Sequence, residues 1–271
     1  MNTLLYTLLG IVVLVFSYKI NLFLGLGITA IGLGLLIYTY IPAFYASKGN
    51  QAFAAGDYAQ ARAWYQKVYD TGRAKVKLRV SYAFLLLRTG EEDEAETVLN
   101  GILMYKHLKP EDRNLAKQNR CMVYYKQGRL EEALEDALEL FENGYVNTTM
   151  YGMIGYFKLL RQDPLEETME FCQEAYEFNN EDRDILDNLT MCYWRQGDYE
   201  KAEEFSEEVI EGHPQFVEGF YHGAQIQMKL GNWKKAKEYT ERISSCRRSA
   251  MTTVSEEDVS ALQKEIEKQM K

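Results

Sequence analysis

The chain has 271 residues and a formal net charge of −9 at pH 7, a length that allows one or two domains around a sizeable core. An acidic chain with no basic block lacks the clustered Lys and Arg that phosphate contacts need, which excludes nucleic acid as a partner. Four cysteines, Cys121, Cys172, Cys192 and Cys246, show no C-x-x-C spacing and read as small buried apolar residues of a reducing compartment, not as a disulfide frame.

Charge is distributed unevenly along the chain. Residues 1–56 hold Lys19 and Lys48 and no acid. Two apolar runs in that stretch, separated by Ser17 to Asn21, predict a transmembrane helical hairpin over 1–41, with spans at about 3–18 and 22–41. No basic n-region or small-x-small cleavage site supports a signal peptide. Tyr6, Tyr18, Tyr38, Tyr40 and Tyr45 lie near the span ends, where amphipathic rings suit the headgroup layer. On the second span, Gly25, Thr29 and Gly32 form one small-residue stripe, and Gly27, Ala30 and Gly34 form another. Such stripes permit close helix approach, one for the first span and the other for a second copy or a membrane partner. The G-x-G-x-x-A string within the run follows no strand and is not a nucleotide site. The expected location is the cell membrane with two spans, and the unpaired cysteines favour a cytoplasmic soluble part.

From Pro42 onward the chain repeats. A small turn residue stands at Gly56, Gly90, Gly128, Asp163, Gly197 and Gly231, at intervals of 34, 38, 35, 34 and 34 residues. Five residues beyond each come Ala61, Ala95, Ala133, Thr168, Ala202 and Ala236. A period near 34 predicts stacked helix pairs, six in this case. The residue seven before the turn is mostly small, as close packing within a pair requires. The long second interval predicts a bulge over 106–112, and Ser255 to Asp258 has the form of a capping box opening a C-terminal helix.

The strings GDYAQA, GRLEEA, GDYEKA and GNWKKA resemble the interhelical turn of the tetratricopeptide repeat family, and Pro214 stands where the family often ends a unit. The resemblance implies an all-α, right-handed α-solenoid over 42–248, with 249–271 as linker and capping helix. QDPLEET in the fourth unit departs furthest from the turn pattern. In this family the first helices line a concave groove that holds proteins or peptides. The column six before the turn is then Asn50, Phe84, Met122, Phe157, Met191 and Gln225, and the column three before it includes Leu87, Tyr125, Leu160, Trp194 and Met228. Apolar residues from Phe84 to Met191 depart from the family's usual polar column and suit an apolar ligand segment. Arg88, Lys126, Arg161, Arg195 and Lys229 form a basic edge suited to acidic residues beside the ligand's apolar anchors. Burial of the column by the C-terminal segment is the alternative arrangement. The family's carboxylate clamp is absent, since Ala46 stands where its lysine is expected.

No metal or cofactor is expected, and no catalytic function. His107, His213 and His222 have no ligand or triad neighbourhood in sequence, and the acidic runs Glu91 to Glu96 and Glu203 to Glu208 fit solvated helix faces. The sequence reading is a membrane-tethered adaptor that recruits a partner on its concave face. The alternative is a self-associating structural membrane protein, a homo-oligomer built on the glycine stripes, whose array serves as a spacer.

Overall fold

The computed structural model describes residues 2–270, with side chains from residue 8 onward. Among the described residues there are fourteen helices and no strand. The first two, α1 (Asn2–Ile20) and α2 (Leu22–Ala54), meet at Asn21, whose side-chain oxygen caps α2 by accepting from the amides of Phe23 and Leu24. The ring of Tyr18 lies on Gly25, where a Cβ would come within 2.4 Å of it, and the Tyr18 and Thr29 hydroxyls are 2.8 Å apart. One small stripe therefore receives α1. Gly32, expected to share that contact, has nothing within 4 Å of its Cβ position, as do Gly27 and Gly34. The contact with α1 stays close to the turn, where Tyr18 fills the space that Gly25 leaves.

Among the described residues α2 is the one helix long and apolar enough to cross a membrane, and the apolar part of α1 over Leu8–Ile20 is shorter. Pro42 does not end the helix. Helix α2, 33 residues in all, continues through it to Ala54 and becomes the first helix of the repeat array. Proline at 42 has no N–H for the carbonyl four residues back, which is that of Tyr38. The Arg73 guanidinium donates to that carbonyl and covers the Tyr38 ring at 3.4 Å. A side chain from the next loop thus satisfies the group the proline leaves open.

The array pairs the end of α2 with α3 (Tyr58–Asp70), α4 (Val76–Thr89) with α5 (Glu92–Leu103), and α6 (Pro110–Lys126) with α7 (Leu130–Glu142). It continues with α8 (Thr148–Arg161) and α9 (Leu165–Phe178), α10 (Arg183–Gln196) and α11 (Tyr199–Gly212), and α12 (Val217–Lys229) and α13 (Trp233–Ile243). Five turns place a glycine at positive φ, 76° to 85°, where the next amide bonds a carbonyl five residues back. Ala61, Ala95, Ala133, Ala202 and Ala236 are fully buried, because the second helix presses against the first there. Thr168 occupies the equivalent buried place by donating its hydroxyl to the Pro164 carbonyl at 3.0 Å. The extra residues of the second interval form the 104–109 loop, and α6 starts at Pro110, earlier than the expected bulge over 106–112 allows.

At the far end Ser255 and Asp258 form the reciprocal capping box of α14 (Glu256–Gln269). Val259, Leu262 and Ile266 bury one face of α14 against a cluster containing Phe220, Tyr239 and Ile243. The polar remainder of α14 faces outward, which is what the last unit of a solenoid needs.

Candidate functional site

The fourth repeat sets the register of the groove differently from the sequence reading. Its left-handed residue is Gln162, with φ of 61°, and the amide of Asp163 bonds the Lys158 carbonyl as the post-glycine amide does in the other turns. One extra residue then separates the turn from α9. Counted from Gln162, the groove residue is Tyr156, and Phe157 falls in the column of Leu85, Val123, Cys192 and Ile226, all buried. Phe157 is accordingly fully buried and packs with Leu134, Met150 and Ile154. It is core, a correction to its expected place on the wall. The same shift explains the small residue at Gly155, whose Cβ position is 2.8 Å from Asn188 and 3.2 Å from the Cys172 sulfur.

The concave wall is made by Phe84, Met122, Tyr125, Tyr156, Met191 and Trp194, all half-buried. Tyr125 and Tyr156 meet edge to face at 5.6 Å with their hydroxyls 2.9 Å apart. Met228 is also half-buried, Leu87 is buried within the first two units, and Leu160 is exposed at the outer edge. The indole N–H of Trp194 is shielded from solvent and has no partner among the described residues.

The wall is not open. Residues 247–254, between α13 and α14, lie along it as a non-helical strip that crosses from the first repeat to the sixth. The Arg247 side chain covers Gly56, with its guanidinium 3.2 Å from that glycine's Cβ position. The Ala250 amide donates to the Arg88 carbonyl at 3.1 Å, and Lys126 Nζ donates to the Ala250 carbonyl. Ala250 also stands 3.6 Å from the Cβ position of Gly90, so a larger side chain at 250 has little room. Met251 packs into the core of the first two units. The Thr253 amide and hydroxyl both donate to Glu218, at 2.7 and 3.0 Å. Two backbone donors and one backbone acceptor of the strip are thus held by groove side chains or backbone, as they are in a bound peptide.

This occupancy changes the role of the basic edge. Arg88 donates to the Ser249 hydroxyl at 3.3 Å and Lys126 to a backbone carbonyl, so neither faces a carboxylate of the strip. Arg161 turns away from the groove onto Asp163 and Glu131, and its hydrogen bonds hold the Asp163 carboxyl below the usual carboxylate range. Arg195 donates to the Asp163 carbonyl at 3.3 Å. Lys229 is exposed. The expectation of a continuous edge awaiting acidic residues is corrected: Arg88 and Lys126 hold the resident strip, and Arg161 and Arg195 hold the fourth turn. The charge the sequence reading missed is acidic, at Asp187 and Glu218, facing His222. His222 Nδ1 lies 2.8 Å from Asp187. Burial lowers the imidazole pKa, but Asp187 and Glu218 outweigh it and hold the pKa above its ordinary value.

Among the described residues no group of His, Cys, Asp and Glu side chains is placed to hold a metal ion. The four cysteines are free, and burial pushes the Cys121 thiol up to about 12. Cys172 is likewise raised, through its hydrogen bond with Cys192 and through burial.

Two family models, each described as tetratricopeptide repeat, match residues 52–118 and 183–213. Those two segments match the tetratricopeptide repeat, and together they span less than half of the chain. Solved structures agree at the level of fold. A tetratricopeptide repeat protein from Parabacteroides merdae is 15% identical, with a TM-score of 0.56 over 84% of this chain and 86% of its own. PilF of Pseudomonas aeruginosa is 14% identical, with a TM-score of 0.57 over 84% of this chain and 99% of its own. The Cut9–Hcn1 structure of the APC/C is 11% identical, with a TM-score of 0.66 over 83% of this chain and 42% of that one. No curated protein matches the chain. The array of helix pairs is therefore similar to these proteins in fold, and its groove is described by this chain's own residues.

Proposed function

We propose that the protein is a membrane-tethered adaptor whose concave face binds an extended peptide segment of a partner protein, in competition with its own residues 247–254. The resident strip carries this reading. It is held in the groove through main-chain groups, by the Arg88 carbonyl, Lys126 and Glu218, and main-chain capture is indifferent to whether the segment belongs to this chain or to another. The strip also indicates what the groove accepts: a small residue at the Ala250 position, a flexible apolar side chain at Met251 and a hydroxyl donor at Thr253. The basic Arg247 and Arg248 precede these, on a chain whose groove carries acids at Asp187 and Glu218. The preferred partner segment is therefore neutral to basic.

Tethering rests on α2, whose apolar length fits one bilayer crossing, with α1 as the shorter arm of a two-span hairpin and the array on the cytoplasmic side. Confinement to the membrane surface raises the array's effective concentration for membrane-bound partners.

The test is site-specific photocrosslinking in intact membranes, with the probe placed at Phe84, Tyr125 or Met191. Crosslinks to a second protein at these three positions, absent from probes on the outer face at Lys237, are the expected result. Crosslinks confined to residues 247–254 of the same chain would refute partner binding in the groove. A self-associating structural role is the second reading, favoured by the uncovered face at Gly27, Gly32 and Gly34. Gly34→Leu disperses such an oligomer in detergent, and an unchanged oligomer size counts against it.

A further inference from the structure

The expectation of no basic block holds for most of the array but not where α2 leaves the apolar run. Between Arg62 and Arg79 there are six basic residues, Arg62, Lys67, Arg73, Lys75, Lys77 and Arg79, and one acid, Asp70, a local charge of +5 in a chain of −9. Only Arg62 of the six forms an ion pair among the described residues, with Glu91. Lys67, Lys75 and Lys77 are exposed.

Geometry places this cluster at the level of the span's end. The bond from Arg73 to the Tyr38 carbonyl holds the α3–α4 loop beside the last turn of the apolar run, one helical turn before Pro42. Lys75 and Lys77 follow directly, flanking the start of α4. Aromatic rings share the site: Trp64 lies 5.9 Å from Tyr45 on α2, and Lys67 Nζ is 4.2 Å above the Trp64 ring. Arg79 sits between the rings of Tyr69 and Tyr105. Rings of this kind suit the headgroup layer.

The cations do not serve the helix they open. The first turn of α4 contains no acid and Lys75 provides no side-chain cap, whereas α5, α6, α7 and α9 each begin with at least two acids. Basic residues at a helix N-terminus oppose its dipole. Lys75 and Lys77 therefore gain nothing from the helix dipole, and neither has an ion-pair partner among the described residues.

We infer that Lys67, Arg73, Lys75 and Lys77 form a docking surface for anionic phospholipid headgroups, which seats the first two repeats on the membrane. The inference rests on the membrane tether proposed above. An exposed cation gains from a negatively charged leaflet only within about a Debye length of it, and the Arg73–Tyr38 contact puts these residues inside that distance of the span's end. The acidic remainder of the array is repelled by the same leaflet, so the array is tilted with its first loop toward the membrane and its later units away.

The experiment uses the full chain reconstituted into vesicles of phosphatidylcholine alone, or with about 30% phosphatidylserine. Flotation after alkaline carbonate extraction first reports whether the chain is inserted. An amine-reactive reagent then labels exposed lysines, read by mass spectrometry. In phosphatidylserine vesicles the labelling of Lys75 and Lys77 falls about fivefold, the share expected from one basic residue's attraction to the surface. It recovers at about 0.5 M salt, and Lys201 and Lys237 remain unchanged in both membranes. The exposed-residue variant Lys75→Gln/Lys77→Gln, which leaves the core intact, loses the effect at Lys67. A chain that fails to float overturns the tether together with this inference. A chain that floats but labels equally in both membranes overturns the headgroup surface alone.

Discussion

The contact between Arg73 and Tyr38 gives a double-mutant cycle with a sharp expectation. Arg73→Ala removes a charge-assisted hydrogen bond to a carbonyl that has no intrahelical partner, along with the guanidinium over the Tyr38 ring. A hydrogen bond to a charged group contributes about 1.5–3 kcal/mol and an exposed cation–π contact about 0.5–1 kcal/mol. Arg73 is half-buried, so screening favours the lower ends, and the expected cost is about 2 kcal/mol. In a Pro42→Ala background the amide at 42 bonds the Tyr38 carbonyl directly, and only the ring contact remains to be lost. Arg73→Ala then costs about 0.5–1 kcal/mol, which makes the coupling between the two sites about 1–1.5 kcal/mol. Denaturant unfolding of the four proteins in one detergent measures it, with hydrogen exchange of the amides over 39–46 as a local readout. An equal cost of Arg73→Ala in both backgrounds would refute the claim that Arg73 completes the helix at its proline.

Other outcomes follow from the groove and the core. Thr253→Pro removes both donors to Glu218 and weakens the resident strip by about 2 kcal/mol, so a labelled peptide of the 246–255 sequence should bind the variant roughly thirtyfold more tightly than the parent chain. Fluorescence anisotropy reads the two affinities, and equal values argue that the strip does not compete. Phe157→Ala should cost about 3–5 kcal/mol in thermal unfolding, while Tyr156→Ala, at the wall, costs distinctly less. His222 has a folded pKa above its unfolded one, so its contact with Asp187 contributes fully below about pH 6.5 and is lost as pH rises through the raised value. His222→Gln should therefore destabilise the protein more at pH 6 than at pH 8.5 in denaturant titrations. Alkylation of the native protein should modify half-buried Cys246 well before buried Cys121 and Cys172.

The repeat was legible because its punctuation is physical. Glycine is needed where φ is positive, alanine where two helices touch, and both recur at fixed distance through the chain. The fourth unit escaped that logic because Gln162 adopts the left-handed conformation without being glycine, and Asp163 looks like the better turn residue. A count from Asp163 puts Phe157 on the wall; a count from Gln162 returns it to the core. A signal was available, since Tyr156 broke an otherwise small column that Gly155 restores. The capping helix was legible from Ser255, Asp258 and the spacing of Val259, Leu262 and Ile266. The resident strip was not, because 247–254 has no periodicity and is held mostly through its main chain, which sequence does not display. The basic cluster over 62–79 was visible as composition, but its meaning depends on the contact between Arg73 and Tyr38, which are 35 residues apart.

The unbroken course of α2 has a mechanical consequence. A helix of 33 residues is a rod about 50 Å long, and its last turns form one wall of the first repeat. With no break in the helix at Pro42, and with Arg73 bracing that point, the array is joined rigidly to the apolar half of α2. Any rotation or tilt of the apolar half is carried into the first repeat as a rigid-body movement of the groove's entrance, where Arg247 lies over Gly56. A membrane-embedded neighbour that turns this rod would thereby act on the resident strip at a distance, as a lever acts on a latch.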